Sequence, residues 1–399
     1  MIRLNKPLLA LLGALAFANL AAADTPLSLS AQVGQQMFFD QRLSGSGKQS
    51  CASCHDPANH YAPANDLSVQ LGGPKLKHMG TRAVPTLTYK DFTPAYADLA
   101  ENPDGISLPG PGGGFAWDGR ASTLAEQARI PLLSPIEMAN PSWQSVVAKL
   151  KTAPYAPLLL QAFGADVFKN PKAAFAKAME ALQAFQLEDP SFHPYSSKYD
   201  LYASNKIGGT LTDQEIRGFA AFQDEKRGNC AACHFSGAGI GGGVAQFTDY
   251  SFSAVGIPRN NAILRGRPQQ FDLGLCGRDD HRHTPDNAQY CGMFKTPTLR
   301  NVATRKVFFH NGQIKSLREA IEFYNTRDTS PERWYPTVRG VVQKFDDLPP
   351  QYRVNLDKQG PLDGRAAGSS TPMSEQDIDD LIAFLNTLTD DYTPVQAKN

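Results

Sequence analysis

Two short cysteine strings constrain this chain of 399 residues more than any other feature. They are Cys51-Ala52-Ser53-Cys54-His55 and Cys230-Ala231-Ala232-Cys233-His234. In the spacing Cys-x-x-Cys-His, the two thiols can bond to the two vinyl groups of one haem, and the adjacent His can face the iron. Two such strings are far beyond coincidence. The sequence therefore predicts two covalently bound haem c groups, with His55 and His234 as axial iron ligands.

Other uses of these residues fit less well. A zinc site needs a second Cys or His pair within about 20 residues, whereas the two strings lie in different halves of the chain. A thioredoxin-like redox site needs a βαβ context, which is lacking, and gives the adjacent His no role. The stretch Gly237–Gly242 matches the dinucleotide pattern G-x-G-x-x-G, but it follows a cysteine string and not a strand, so that interpretation fails.

Residues 1–23 have the pattern of a secretory signal peptide. Arg3 and Lys6 are positive, residues 8–20 are apolar but too short to span a bilayer comfortably, and Ala21–Ala23 offers a cleavage site. An uncleaved membrane anchor is the alternative. No later apolar run approaches about 18 residues, so no membrane span is expected after signal removal. The sequence therefore predicts export to an oxidising compartment.

The two remaining cysteines, Cys276 and Cys291, flank a polar stretch. In an exported protein, two cysteines that are left over after the haem strings typically form a disulfide. Here the disulfide would close this stretch into a loop. A metal site that combines these cysteines with His281 and His283 is the alternative interpretation.

The overall composition describes a neutral, loop-rich chain. Lys+Arg is 39 and Asp+Glu is 39, which offers no global charge for binding nucleic acid or an acidic membrane surface. Gly is 33 and Pro is 29, so loops are expected to be extensive, among them the stretch Pro103–Gly114.

Apolar periodicity predicts a helix before each string and another that closes each half. Thr212 and Glu215 fit a capping box before the second string, and Ile216, Phe219 and Phe222 would form one apolar face. The corresponding faces of the other predicted helices are Val33, Met37 and Phe38; Phe175, Met179, Leu182 and Phe185; and Ile378, Leu381, Ile382 and Leu385 after a Ser374/Asp377 cap.

We therefore predict a mainly α, loop-rich fold of two cytochrome c-like helical haem domains. The N-terminal domain comprises residues 24–203 and the C-terminal domain residues 204–399. The boundary falls in the Pro-, Ser- and Asn-containing stretch Glu188–Gly209.

Several longer blocks resemble the bacterial dihaem cytochrome c peroxidase and MauG superfamily. They are Phe115–Gln127, Pro135–Met138, Phe294–Val302 and Phe309–Gly312. Both haem strings and these blocks occur in the order of that family, and the resemblance covers nearly all of the chain after the leader.

The resemblance implies roles for individual residues. Trp117 matches the tryptophan between the two haems, a candidate relay for electrons. Gln127 and Glu137 match the distal pair over the peroxide-reacting N-terminal haem, where a carboxyl group can move protons during O–O cleavage. Pro131 matches a packing position of that pocket. Without the resemblance, Trp117 would be a core aromatic and Glu137 a helix-terminal charge.

At the second haem, the chain departs from typical peroxidases. Tyr324 stands where they carry a Met ligand, as in MauG. An anionic Tyr ligand lowers a haem's potential, whereas Met raises it. We therefore expect Tyr324 to be the distal ligand of the second haem, with Met293 as the rival ligand.

At the first haem, the family's capping loop His has no counterpart in register, although His60 and His78 are available. The resemblance therefore implies an open first iron. Ala83 matches the side-chain Asn ligand of the family's bridging calcium. Calcium binding is left open, because carbonyls and water alone are a weak set for this hard cation.

The sequence therefore predicts a periplasmic peroxidase that reduces H2O2 with electrons from a small cytochrome or copper protein. The first haem would be the reaction site, and the second the relay through Trp117. One alternative is a MauG-like enzyme that oxidises side chains of a partner protein. Another, of a different class, is a non-catalytic dihaem electron carrier. No nucleic-acid partner is expected.

Overall fold

The computed structural model describes residues 26–238, 243–264, 270–278 and 287–394. The predicted leader, residues 1–23, lies outside these ranges, as do His281 and His283 of the alternative metal site and residues 239–242 of the Gly-rich stretch.

The described residues are mainly helical, as predicted. Their α-helices are α1 (Leu29–Phe39), α2 (Leu124–Leu133), α3 (Trp143–Lys151), α4 (Ala156–Phe163), α5 (Pro171–Glu188), α6 (Lys198–Ala203), α7 (Asp213–Gln223), α8 (Asn261–Leu264), α9 (Leu317–Thr326) and α10 (Glu375–Asn386). The predicted helices before each string and at the end of each half correspond to α1, α7, α5 and α10.

The strands are short and pair consecutively into antiparallel two-stranded ribbons. They are β1 (Leu71–Gly72), β2 (His78–Met79), β3 (Ala97–Ala100), β4 (Gly110–Gly112), β5 (Phe252–Ser253), β6 (Phe294–Lys295), β7 (Thr337–Val338) and β8 (Val341–Val342). The prediction of loop throughout Pro103–Gly114 was therefore wrong for β4, whose end residues Gly110 and Gly112 pair with Ala100 and Ala97.

The helices form two pairs that cross at a glycine. In the first pair, a methyl group on Gly34 of α1 would lie 1.9 Å from the carbonyl oxygen of Ala181 on α5. In the second, a methyl group on Gly218 of α7 would lie 1.9 Å from the carbonyl oxygen of Asp380 on α10. Only glycine lets the two backbones approach this closely. Each pair is thus the frame of one half of the molecule.

Each pair organises its own apolar core. The first large core is drawn from residues 33–192 and the second from residues 199–388. The predicted faces of α5 and of α10 are buried, apart from Ile382, which is half-buried. The face predicted for α7 was partly wrong, because Ile216 is 50% exposed. The predicted Phe222 is buried, and the close approach at Gly218 turns Ala221 inward beside it. The domain boundary at residues 203/204 remains a prediction.

The stretch predicted as the boundary contains an ordered helix. Ser197 and Asp200 form a capping box at the start of α6. The carboxylate of Asp200 also receives two hydrogen bonds from the buried guanidinium of Arg300, at 2.9 and 3.0 Å. A buried bidentate pair of this kind holds its segment firmly. Residues 198–203 therefore belong to the packed structure and not to a linker.

Several long-range bonds join the two halves. Arg82 bridges Asp118 at 2.7 Å and Asp272 at 2.6 Å. The hydroxyl of Tyr89 donates to the carboxylate of Asp390 at 2.6 Å. We refer to this contact region between the halves as the junction.

Cys276 and Cys291 form the predicted disulfide, which ties the segment before residue 279 to the one after residue 286. Within the described ranges, no helix is both long and apolar enough to cross a membrane.

Candidate active site

The first string forms a tight turn that brings its three chemical groups together. Cys51–Ser53 is a short 3-10 helix, and the backbone N–H groups of Cys54 and His55 both donate to the carbonyl of Cys51, at 3.1 and 2.9 Å. The turn begins where Ser50 N–H donates to the hydroxyl of Ser53 at 2.9 Å. The two thiols and the imidazole are thus displayed from one turn of backbone.

The imidazole of His55 is oriented by the loop that follows it. Its Nδ1 lies 3.2 Å from the carbonyl oxygen of Tyr61. Because a carbonyl only accepts, Nδ1 carries the hydrogen and Nε2 keeps a free lone pair. Burial lowers the pKa of His55 to about 4, so the ring is neutral. A neutral imidazole fixed through its other nitrogen is the usual form of an iron ligand.

The second string repeats this arrangement. Cys230–Ala232 is a 3-10 helix, and His234 N–H donates to the carbonyl of Cys230 at 2.8 Å. Nδ1 of His234 lies 3.1 Å from the carbonyl oxygen of Phe247, and burial lowers the pKa of this imidazole to about 4 as well. Each half thus presents one neutral His beside a cysteine pair.

The four thiols lie in surroundings that favour a neutral sulfur. Burial raises the pKa of Cys51 to about 12 and that of Cys54 to about 11. It raises the pKa of Cys230 to about 12 and that of Cys233 further. Zinc would need thiolates, and the described residues contain no group of three or more His, Cys, Asp or Glu side chains that could hold a metal ion. When haem c is attached, each cysteine sulfur becomes a neutral thioether and a neutral His binds the iron. These surroundings therefore fit haem c.

Glu137 lies beside the first string. After α2 ends, the chain folds back so that Met138 N–H donates to the carbonyl of Pro131 at 3.0 Å, and the carbonyl of Glu137 accepts from Gly73 N–H at 2.7 Å. Burial raises the pKa of the Glu137 carboxyl, although Ser134 and Arg120 offset part of this. The negative charge of Glu137 in turn contributes to the raised pKa of Cys54.

Gln127 and Pro131 lie on one face of α2, four residues apart. This helix is capped by Thr123, whose hydroxyl accepts from Glu126 N–H at 3.1 Å. Gln127 is half-buried, whereas Glu126 is exposed. The fold-back of Met138 onto Pro131 therefore brings the segment of Glu137 to the helix that carries Gln127.

Trp117 lies at the junction and is bonded to both halves. Its indole Nε1–H donates to the carbonyl of Ala83 at 2.7 Å. Its own carbonyl accepts from Lys295 N–H at 2.8 Å. The neighbouring Asp118 is fully buried, and although burial alone would raise the pKa of its carboxyl, Arg82 and Arg120 hold it below the usual value. The position of the indole is therefore firmly set.

Tyr324 lies beside the second string. It is on α9, its ring centroid is 5.7 Å from that of Phe309, and its side chain is half-buried. Burial raises the pKa of its hydroxyl, and the nearby thiols of Cys233 and Cys230 raise it further. The rival residue Met293 is tied to the disulfide segment, where its carbonyl accepts from Leu275 N–H at 2.9 Å.

The two histidines that the sequence offers as caps for the first iron lie on separate segments. His78 is exposed on β2, with its Nδ1 3.4 Å from the carbonyl of Pro135. His60 lies with its Nδ1 4.0 Å from a carboxylate oxygen of Asp391.

At the position that matches the family's calcium ligand, two neighbouring backbone carbonyls already accept hydrogen bonds. The carbonyl of Ala83 is taken by Trp117, and the carbonyl of Val84 accepts from the guanidinium of Arg305 at 3.1 Å. Sequence reasoning missed Arg305, together with Lys90 and Lys295, because these cations approach one another only through the tertiary fold.

The chain is similar to known proteins over most of its length. A family model described as "Di-haem cytochrome c peroxidase" matches residues 29–207. Methylamine utilization protein MauG from Paracoccus denitrificans is 33% identical over 380 residues, which span 90% of this chain and 88% of that protein. Cytochrome c551 peroxidase from Pseudomonas aeruginosa is 29% identical over 322 residues, which span 79% of this chain and 78% of that protein.

A solved structure is similar as well. The crystal structure of the diheme peroxidase BthA from Burkholderia thailandensis superposes with a TM-score of 0.82 at 38% identity, covering 93% of this chain and 88% of that one. The two cysteine strings, the helical fold and these similarities agree: the chain belongs to the dihaem cytochrome c peroxidase and MauG family of peroxide-using oxidoreductases.

Proposed function

We propose that this protein reduces H2O2 to two molecules of water, using two protons and two electrons from an external donor. The first string, Cys51–His55, would hold the haem at which peroxide reacts. The second string, Cys230–His234, would hold the haem that relays electrons. Bound haem iron supplies the redox chemistry of O–O cleavage.

The proposal depends above all on Glu137. It is a desolvated carboxyl group beside the first string, with a raised pKa and a charge that is felt at Cys54. In its ionised form it can take a proton from H2O2 as peroxide binds, and it can then return that proton to the departing oxygen. An electron carrier has no use for such an acid. Gln127 would supply a neutral amide to orient the bound peroxide.

Trp117 would connect the two haems. Its indole is bonded to Ala83 in the N-terminal half, and its backbone is bonded to Lys295 in the C-terminal half. A rigid aromatic between two redox groups shortens the path that an electron must cross. Electrons would enter at the second haem, from a small cytochrome or a copper protein.

The first test is stopped-flow mixing of the ferric holoprotein with H2O2. We expect a second-order spectral change without prior reduction, because neither His60 nor His78 stands in register with the family's capping His. Two low-spin haems that do not react with peroxide until the protein is half-reduced would contradict an open coordination position at the first iron. A protein that ignores peroxide in every redox state would be an electron carrier.

Tyr324 favours a second candidate function, a MauG-like oxidation of side chains in a partner protein. A phenolate ligand stabilises oxidised iron, whereas Met stabilises the reduced state that an electron relay needs. Steady-state turnover with a reduced small cytochrome or copper protein supports the peroxidase. A mass shift in a co-incubated periplasmic protein, dependent on H2O2, supports the MauG-like function.

We also propose that the protein works in the periplasm. Residues 1–23 have the pattern of a signal peptide, and the Cys276–Cys291 disulfide suits an oxidising compartment. Cell fractionation of the tagged full-length protein tests this, and recovery in the cytoplasmic fraction would contradict it.

A further inference from the structure

Three buried cations lie together at the junction, where the charges of Asp91 and Asp118 offset only part of the burial of Lys90 and Lys295. Within the described ranges, Lys90, Lys295 and Arg305 make no ion pair with an Asp or Glu side chain, although each is strongly desolvated. Each also keeps some accessible surface.

Arg305 is bonded only to neutral oxygens. Its Nη2 donates to the carbonyl of Val84 at 3.1 Å, and its Nε donates to the carbonyl of Val307 at 3.3 Å. Val84 immediately precedes Pro85, whose backbone is close enough to His55 to influence the pKa of its ring. The guanidinium therefore lies next to the segment that supports the first iron ligand.

Lys295 is bonded to the segment that carries Trp117, since its backbone N–H donates to the Trp117 carbonyl at 2.8 Å. Its ammonium donates to the carbonyl of Gly114 and lies 5.9 Å from the ring centroid of Phe115. The nearby carboxylate of Asp118 is already bonded to Arg82 at 2.7 Å and to Arg120. Lys295 thus forms no ion pair with Asp118, although the charge of this carboxylate raises its pKa in part.

Lys90 links the other two cations. It lies close enough to Arg305 and to Lys295 for their charges to interact, and the charges of Lys90 and Arg305 both act on His55. Burial, and then repulsion within the cluster, lower the pKa of Lys90 to about 8 and that of Lys295 to about 7. Burial lowers the pKa of Arg305 to about 10.

Three like charges in desolvated positions are unfavourable unless an anion accompanies them. Haem carries two propionate carboxylates on the edge opposite its vinyl groups. When Cys51 and Cys54 hold the vinyl edge and His55 faces the iron, the propionate edge is the part of the cofactor that can reach such a cluster. Carboxylates bonded to Lys and Arg form strong charge-assisted hydrogen bonds.

We propose that Lys90, Lys295 and Arg305 bind the propionate groups of the haem held by the first string, and that this haem thereby fastens the two halves together. Lys90 comes from the N-terminal half, whereas Lys295 and Arg305 come from the C-terminal half. The proposal rests on the proposed attachment of haem at Cys51–His55.

The test is a spectroelectrochemical titration of both haems in the holoprotein and in the variants Lys90→Met, Lys295→Met and Arg305→Met. A nearby cation favours the reduced, less positive haem. We therefore expect each variant to lower the midpoint potential of the first haem and to shift that of the second haem less. The charge-conserving variant Lys90→Arg should remain close to the wild type.

Lys149→Met is the matched control. Lys149 is also half-buried and bonded to neutral oxygens, those of Ser44 at 2.6 Å and Asn140 at 2.7 Å, in the N-terminal half. First-haem potentials that move no further in the three variants than in this control would overturn the proposal. So would a shift confined to the second haem, or a Lys90→Arg shift equal to that of Lys90→Met.

A measurement on the wild type does not depend on the folding of any variant. With haem labelled by ¹³C at the propionate carboxyl carbons, infrared difference spectra should show ionised carboxylates at neutral pH. A protonated carboxyl band for the first haem would overturn the proposal. The pyridine haemochrome assay counts the bound haems, and stopped-flow mixing measures the peroxide reaction. A protein with two haems that does not react with peroxide would contradict the proposed function, whereas this inference is decided by the haem potentials and the infrared bands.

Discussion

The two halves of the molecule share the same backbone framework but differ in the side chain that lies beside the cysteine string. Each has a helix pair crossed at a glycine, a 3-10 turn with two cysteines, and a His fixed through Nδ1 to a backbone carbonyl. Beside the first string lies Glu137, and beside the second lies Tyr324. The framework is thus common to both halves, whereas the titratable residue beside it differs, and under the proposed function this difference would set the chemistry of each half.

The largest expected effect comes from removing the acid at the first string. Glu137→Gln should slow the reaction of the ferric protein with H2O2 by about 10²- to 10⁴-fold, the usual contribution of a general acid–base group. Stopped-flow absorbance measures this rate. Glu180→Gln, an exposed change on α5, is the control. An unchanged rate in Glu137→Gln would contradict the proposal that Glu137 gives the first half its acid–base function.

The pH dependence sharpens the same point. The ionised form of Glu137 accepts the proton of H2O2, and burial raises the pKa of this carboxyl. The rate should therefore decrease as the pH is lowered. The midpoint of this decrease should lie at a higher pH than the pKa of an ordinary carboxyl group. This decline should be absent from Glu137→Gln. A profile that is identical in both proteins would assign the decline to another group.

The shared framework predicts equal sensitivity at its two crossings. Gly34→Ala and Gly218→Ala should each lower the free energy of unfolding by about 1–3 kcal/mol, because the new methyl group meets backbone atoms that have no room to move. Urea unfolding of the holoprotein measures this. Gly110→Ala, which meets no atom within 4 Å, should change little. A loss of stability in only one of the two variants would show that the two helix crossings do not contribute equally to the fold.

At the second string, Tyr324→Phe should raise the midpoint potential of one haem only. Loss of an anionic ligand should move it by part of the roughly 0.8 V range over which axial ligands set haem potentials. Tyr335→Phe, a buried change close to α9, should leave both potentials unchanged. Spectra and potentials of Tyr324→Phe that match the wild type would leave Met293 as the ligand.

The smallest expected effect concerns calcium at the junction. Ala83 provides no side-chain ligand, its carbonyl is bonded to Trp117, and a buried cation cluster lies nearby. Treatment with EGTA should therefore leave the peroxide rate and the urea midpoint unchanged. A loss that added calcium restores would show that the junction needs a divalent ion after all.

Local signals were predicted well because they depend on residues three or four apart. The capping boxes of Thr212/Glu215 and Ser374/Asp377 are present, as is the buried face of α5. The two cysteine strings form compact turns for the same reason, since each turn depends on adjacent residues. The fold class followed from them.

Features set by distant residues were not predicted. α6 depends on the pairing of Asp200 with Arg300, and Ile216 is exposed because Gly218 sets how α7 meets α10. The cations at the junction come from residues 90, 295 and 305, which share no local pattern. The roles of Gln127, Glu137, Trp117 and Tyr324 came from family resemblance and remain predictions.

The bond between Tyr89 and Asp390 makes one side chain responsible for several long-range contacts. Asp390 also accepts from Asn301 Nδ2 at 2.7 Å and from Ser196 N–H at 3.1 Å. Its carboxylate thus joins three segments that are distant in sequence, and Tyr89 is 301 residues away. Loss of this single side chain would break contacts in both halves of the molecule at once.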